Sequence, residues 1–373
     1  ERADAVLRII DVALARSVAV TPGVHELRMA LLASKPDTGV DQLISACRDA
    51  SDPSGPNATR SFKRVIAALA QSDRPAEALR VAIAGLEHAS APDDELVSMG
   101  VRLVVIAGDA SDLARVLDRV TTLSTARAVL EPIHPDGPNA LDAQATLERA
   151  KSEIAFMIGN YFASSDDRRD RADDTYRLAL RYDPTHAMAA NNLGYTLLER
   201  GLNPEEAEAL LESAYLHAPD DANVADSIGW LRYQQGRLLD TVSSDGSIVE
   251  GAVSLLLKAL TIDLDGGSPV SLDHYADALW ASGEREEAVL RWEEAITELE
   301  RETANLEAAG RSNPEHAPLL ESLRAKIAAA SEGREPAIAP MRWKPVTERT
   351  DPEAPSRDEG ANPVGNASNL QPR

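Results

Sequence analysis

Apolar residues in this chain recur every three to four positions, and from residue 155 to 295 that helical pattern is itself repeated. It is clearest over Ala189–Pro219. Leu193, Leu197 and Leu198 stripe a first helix around Gly194, and Gly201 ends it as a left-handed C-cap. Asn203 as N-cap and Pro204 in the first turn restart the chain, and Ala207, Leu211 and Ala214 stripe a second helix that Pro219 stops. The same places are Ile158, Gly159, Phe162, Ala172, Tyr176, Ala179 and Pro184 in the unit before. They are Ile228, Gly229, Gly236, Ala252, Leu256 and Ala259 in the unit after, and Tyr275, Ala276, Gly283, Ala288, Trp292 and Ala295 in the last. The glycines are spaced 194 − 159 = 35 and 229 − 194 = 35, and the step to Ala276 is 47 because Arg237–Gly251 carries an insertion. Two helices and two turns fill such a period, so the pattern predicts stacked helix hairpins that bury their apolar faces against one another. Gly194 and Ala214 predict close helix crossings.

This motif resembles the tetratricopeptide repeat, and the resemblance covers roughly residues 145–300. It implies an all-α fold, a right-handed superhelical solenoid of antiparallel helix pairs, whose first helices line a concave surface. Upstream, Phe62–Ala70 with Pro75–Leu86, and Glu95–Ala107 with Asp109–Val120, read as further hairpins, and Glu1–Val20 and Val24–Ala50 add helices. Twelve of the fourteen Phe, Trp and Tyr lie in 151–300, leaving Phe62 and Trp343 outside, so residues 1–130 read as degenerate repeats packed on Ala, Val and Leu. A separate helical domain is the alternative there, with the Pro/Gly-rich stretch 131–140 as linker. Four repeats then occupy 141–300, and capping helices occupy 301–332. The last of these puts Leu319, Leu320, Leu323 and Ile327 on one face and Lys326 elsewhere. From 333 to 373 Pro, Glu, Asn, Ser and Gly dominate, which predicts a disordered tail. No strand pattern competes, and Thr241–Ser247 is expected to be an exposed, mobile loop.

The candidate site lies on the first helices. Residues three before, one after and four after each marker glycine share a helical face. Those offsets select Phe156, Asn160 and Ala163; Asn191, Tyr195 and Leu198; Asp226, Trp230 and Tyr233; Asp273, Asp277 and Trp280. Tyr and Trp offer broad apolar area at small entropic cost, as a peptide groove requires, although Tyr195 and Trp230 read equally as packing between repeats. Tyr233 and Trp280, nearer the helix ends, are expected to be exposed. In peptide-clamping members of the family, asparagines at the places of Asn160 and Asn192 hold the main chain of a ligand. Members that clamp acidic tails also carry Lys or Arg where this chain has Phe156, Asn223 and Ser227, so with Asp226, Asp273 and Asp277 on one wall the expected partner is an extended neutral or basic peptide segment.

Charge sharpens that picture. Lys+Arg number 38 against Asp+Glu 61, a net charge of −23, which repels nucleic acid and anionic membranes. Cys47 is the single cysteine and excludes an intrachain disulfide. Seven scattered histidines include no His-x-x-x-His pair, and no nucleophile elbow, phosphate loop or dinucleotide fingerprint occurs, so no catalytic residue, metal or cofactor is expected. Asp263-Leu-Asp265-Gly-Gly lacks the ligands of a calcium loop and reads as a turn. No apolar run reaches membrane-spanning length. Glu1 opens directly into a helix without Met or a signal region, so the chain is expected to be a fragment, and any targeting signal would belong to the part ahead of it. The chain therefore reads as a non-enzymatic scaffold for a protein or peptide partner. The alternatives are a regulatory or substrate-presenting arm of an enzyme whose catalytic domain precedes residue 1, and a self-associating array.

Overall fold

The computed structural model describes residues 2–343 apart from 17–21, 34, 36, 56, 92, 134–145, 165–167 and 264–266. The upstream helices are α1 (Arg2–Ala15), α2 (Pro22–Ala33), α3 (Val40–Asp49), α4 (Arg60–Gln71), α5 (Pro75–His88), α6 (Asp94–Ala107), α7 (Ala110–Leu117) and α8 (Leu123–Ile133). The repeats follow as α9 (Leu147–Ala163), α10 (Arg169–Tyr182), α11 (Ala187–Glu199), α12 (Pro204–His217), α13 (Ala222–Gln234), α14 (Ala252–Ile262), α15 (Pro269–Ser282) and α16 (Arg285–Ala308), closed by α17 (His316–Ser331). The fold is the expected all-α solenoid. Helices α9 and α10, α11 and α12, α13 and α14, and α15 and α16 pack as hairpins, and each hairpin packs on the next through α10 on α11, α12 on α13, and α14 on α15.

The marker glycines explain the hairpins. A Cβ on Gly159 would lie 2.6 Å from Tyr176 Cε1, one on Gly194 2.9 Å from Leu211 Cγ, and one on Gly229 2.8 Å from Leu256 Cγ. A bulky residue of the second helix therefore rests on bare backbone of the first, and the two axes approach as no larger residue would let them. The partner lies 17 residues on in the first two units (176 − 159 and 211 − 194) and 27 on in the third (256 − 229), where the insertion intervenes. Upstream, Gly100 on α6 meets Val116 on α7 in the same way at 3.2 Å.

The connections bear out one local expectation and correct two. Gly201 does close α11 in the left-handed region (φ +64°), with the Leu202 N–H donating to the Leu197 carbonyl at 2.9 Å. Asn203 does stand at the N-cap, its carbonyl accepting from the Ala207 N–H at 2.9 Å, but it is itself left-handed (φ 44°, ψ 62°), its side chain caps no helical N–H, and its amide donates to Glu206 at 3.1 Å. Asparagine tolerates that conformation, and two left-handed residues in three turn the chain sharply into α12. The insertion is a small hairpin rather than an irregular loop. Strand β1 (Thr241–Val242) pairs antiparallel with β2 (Ile248–Val249), and Asp245 accepts from the Ser247 N–H across the turn at 2.9 Å. Its side chains are exposed as expected, and its base is clamped by Asp240 accepting from the Gly251 N–H at 2.8 Å.

The C-terminal end departs most. Helix α17 caps the stack through Leu323, Leu319, Leu320 and Ile327, but Lys326, expected on an outer face, is 5 % exposed. Residues 334–343, expected to be disordered, form an irregular segment, tightened where the Ile338 N–H donates to the Pro336 carbonyl at 2.9 Å, that packs on the first helices through Ile338, Ala339 and Trp343. Residues 344–373 lie outside the described residues, as do most of the 131–140 linker, whose first three residues complete α8, and Leu264–Gly266 of the Asp263 turn. Among the described residues no helix is long and apolar enough to cross a membrane.

The packing at Gly194 predicts that bulk there is destructive. Gly194→Leu is expected to lower unfolding free energy by at least the roughly 1–3 kcal/mol typical of overpacking. Denaturant titrations of parent and variant that superimpose would contradict the register. Limited proteolysis of the folded chain is expected to cut first in the β1–β2 turn, and early cleavage within α11–α13 would contradict the assigned exposure.

Candidate peptide-binding groove

Helices α11, α13 and α15 lie side by side, with α9 beyond α11, so the positions selected by offset do come together. They form three groups, each already engaged within the chain. The first is the asparagine pair. The Tyr176 hydroxyl donates to Asn160 Oδ1 at 2.8 Å, and Asn192 Nδ2 donates to the same oxygen at 3.0 Å. Both amides are half-buried and hold each other while part of each faces the groove. Tyr195, also half-buried, stands one repeat further on at a cavity of ≈ 320 Å³ lined by Thr196, Glu199, Arg200 and, from the turn before α17, Glu315.

The second group is a stack. The Trp230 ring lies between Tyr233, at 4.7 Å and 3°, and His274, at 3.9 Å and 15°, while its indole N–H donates to Glu199 at 2.6 Å. His274 Nδ1 meets Asp226 Oδ2 at 3.0 Å, and both residues are buried. Burial opposes the imidazolium, but the carboxylates of Asp226, Asp273 and Glu199 outweigh it, so His274 titrates above the ordinary histidine value. Trp230 is thus core, as its alternative reading allowed.

The third group corrects the expectation of an acidic wall open to a basic ligand. Lys326 Nζ reaches across from α17 and donates to Asp273 and Asp277, both at 2.7 Å. Asp277 Oδ1 also accepts from the Trp292 indole at 3.1 Å. Burial and the neighbouring Asp273 push the Asp277 carboxyl upward against the pull of Lys326. Asp226 is matched by His274, while Asp273 and Asp277 share the single charge of Lys326, so all three acids are partnered from inside and the wall is partly neutralised. Formal charge on one helix face misled because the compensating groups arrive from elements some fifty positions away.

Tyr233 and Trp280, expected to be exposed, are 0 % and 8 % exposed. The chain itself covers them. The Tyr233 hydroxyl donates to the Ala339 carbonyl, the Ala339 N–H donates to Asp277 Oδ2 at 3.0 Å, and the Trp343 N–H donates to the Gln234 carbonyl at 3.0 Å. At the other end of the segment Glu335 accepts from the Trp280 indole at 3.0 Å and from Arg285 at 2.7 Å. Repeat-based reasoning missed His274, Lys326 and residues 335–343. Trp343 carried a signal, since it is an isolated aromatic in a stretch otherwise read as tail.

Over 107 residues, 29% of this chain, the sequence is 32% identical to a TPR repeat-containing protein of Pseudomonas aeruginosa, and the match spans 16% of that protein's length. No family model matches the chain. Among solved structures it is similar to an assembly chaperone of RpL4 (Acl4), with a TM-score of 0.32 and 13% identity over 84% of this chain and 99% of that one. It is also similar to a human IFIT1 dimer with PPP-AAAA, with a TM-score of 0.30 and 14% identity over 88% of this chain and 68% of that one. Neither structural likeness bears on what this chain binds.

The buried His274–Asp226 pair predicts a pH dependence. A histidine whose folded pKa is raised contributes stability that is complete below its unfolded pKa, about 6.5, and lost as pH rises through the folded value. The melting-temperature advantage of the parent over His274→Gln is therefore expected to be largest on the acid side of neutrality and to shrink toward alkaline pH. A difference that is constant with pH, followed by circular dichroism, would contradict the assignment.

Proposed function

We propose that this chain is a non-enzymatic protein-interaction scaffold that binds an extended peptide segment along the face of its first helices. The observation that carries the reading is that this face holds main-chain groups: Tyr233, Asp277 and the Gln234 carbonyl each take one rather than a particular side chain. Main-chain capture with side chains in adjoining recesses is how repeat grooves bind segments lacking structure of their own. The half-buried amides of Asn160 and Asn192 and the ring of Tyr195 extend the same face beyond the occupied stretch. Because Asp226, Asp273 and Asp277 have internal partners, their pull on a basic ligand is reduced rather than cancelled, and both the neutral and the basic segments expected from sequence remain compatible. A scaffold of net charge −23 also disfavours nucleic acid.

The reading predicts a contrast between faces. Tyr195→Ala is expected to weaken capture of the partner tenfold or more, since loss of an aromatic anchor costs about 2 kcal/mol. Leu216→Ser, on the exposed side of α12, is expected to leave capture unchanged. Glu212, also on that helix, is no silent control, because it accepts from the buried Arg232. Titration calorimetry with the captured partner decides. Affinity that survives Tyr195→Ala and collapses with Leu216→Ser would place binding on the outer surface instead.

A further inference from the structure

We propose that residues 335–343 are a ligand held in cis, and that the groove over α13 and α15 takes in trans an extended protein segment of the same chemistry: an acidic residue followed by proline, then small and aliphatic residues. The inference rests on the peptide-groove reading and deepens it by naming the ligand class and the competitor. The stretch reads Glu335-Pro-Ala-Ile-Ala-Pro-Met-Arg-Trp343. Its two prolines favour an extended backbone and lower the entropy lost on binding. Pro336 is buried and Ile338 and Ala339 are half-buried, while Glu335, Ala337, Pro340, Met341 and Arg342 remain exposed.

The surface beneath specifies what it accepts. Tyr233 needs a carbonyl, Asp277 Oδ2 needs an N–H, and Trp280 with Arg285 needs a carboxylate four residues earlier (339 − 335). Arg285 also lies 5.0 Å from the Trp280 ring, which fixes where that carboxylate must stand. Left uncovered, the groove would expose the aromatic surface of Tyr233 and Trp280 that the segment buries, so it favours occupation. The occupant need not be permanent. The ion pair of Arg285 with Glu335 has side chains 60% and 68% exposed and therefore holds weakly. Gly333, left-handed at φ +69°, ends α17 just before the segment, so the segment can swing away while α17 stays docked through the buried Lys326. Tethering gives the cis segment a high effective concentration, so an incoming segment of matching chemistry binds only in proportion to the fraction of open groove.

The test uses the full chain and a fluorescent synthetic peptide spanning Glu335–Trp343. Two release variants are compared with the parent: Glu335→Lys with Ile338→Asp, which sets charge against Arg285 and Asp277, and Ala339→Pro, which removes the N–H given to Asp277. Both change a segment outside the helices, and circular dichroism identifies any that misfolds, leaving the other to be read. Fluorescence anisotropy is expected to show each release variant binding the peptide at least tenfold more tightly than the parent. A scrambled peptide should bind poorly, and adding Tyr233→Phe should weaken binding several-fold. Release variants that bind the peptide no better than the parent, or no better than its scramble, overturn the inference. If they then bind extended neutral or basic peptides lacking the acidic residue and prolines, only the cis-ligand inference fails. If they bind no extended peptide, the groove reading fails with it. Light scattering that shows the parent dimerising, and the release variants not, would make the occupant a second copy of this chain and overturn the trans partner.

Discussion

The carboxylate of Asp277 sits where α15, α16, α17 and the C-terminal segment meet. One oxygen accepts from Lys326 and Trp292, the other from the Ala339 amide, and the residue is 1 % exposed. A buried carboxylate is tolerable only when such partners replace water, and removing any one leaves a charge or a donor stranded. The capping helix, the last repeat and the covering segment are therefore coupled. Lys326 partners Asp273 and Asp277, Asp277 in turn accepts a main-chain amide, and that amide brings residues 335–343 over Tyr233 and Trp280. What would otherwise be an open acidic groove becomes a closed one that reads backbone.

Much of the fold was legible because its causes are local and periodic. Gly159, Gly194 and Gly229 mark positions where a second-helix side chain rests on first-helix backbone, and that constraint recurs at the spacing of the repeat. The same register brought Asn160, Asn192, Tyr195, Trp230, Tyr233, Asp277 and Trp280 onto neighbouring helices. Their state of occupation was not legible. Tyr233 meets Ala339 across 106 positions, and Lys326 meets Asp277 across 49, separations that no repeat period encodes. Composition misled for a related reason: a stretch rich in proline and small residues lacks apolar content to form a core, yet it can lie against a core already formed. The isolated Trp343 was the residue that broke the compositional pattern.

The groove that remains differs in character along its length. Around α9 and α11 lie the half-buried amides and a cavity lined by Tyr195 and Glu315, whereas over α13 and α15 the chain supplies its own occupant. Under the proposed reading, a segment approaching from outside meets half-buried polar positions first and residues 335–343 next, which would tie selectivity to a short stretch whose chemistry can be rewritten without touching a helix.

The claim on which this account turns is that residues 335–343 cover the first helices in the unliganded chain. Hydrogen exchange measured on the unmodified full-length protein addresses it directly. The account predicts slow exchange at the amides of Ala339 and Trp343, which donate to Asp277 and to the Gln234 carbonyl, beside fast exchange at the solvent-facing Ala337 and Arg342. Exchange at Ala339 and Trp343 as fast as at Ala337 and Arg342 would mean that the groove is open and would contradict it.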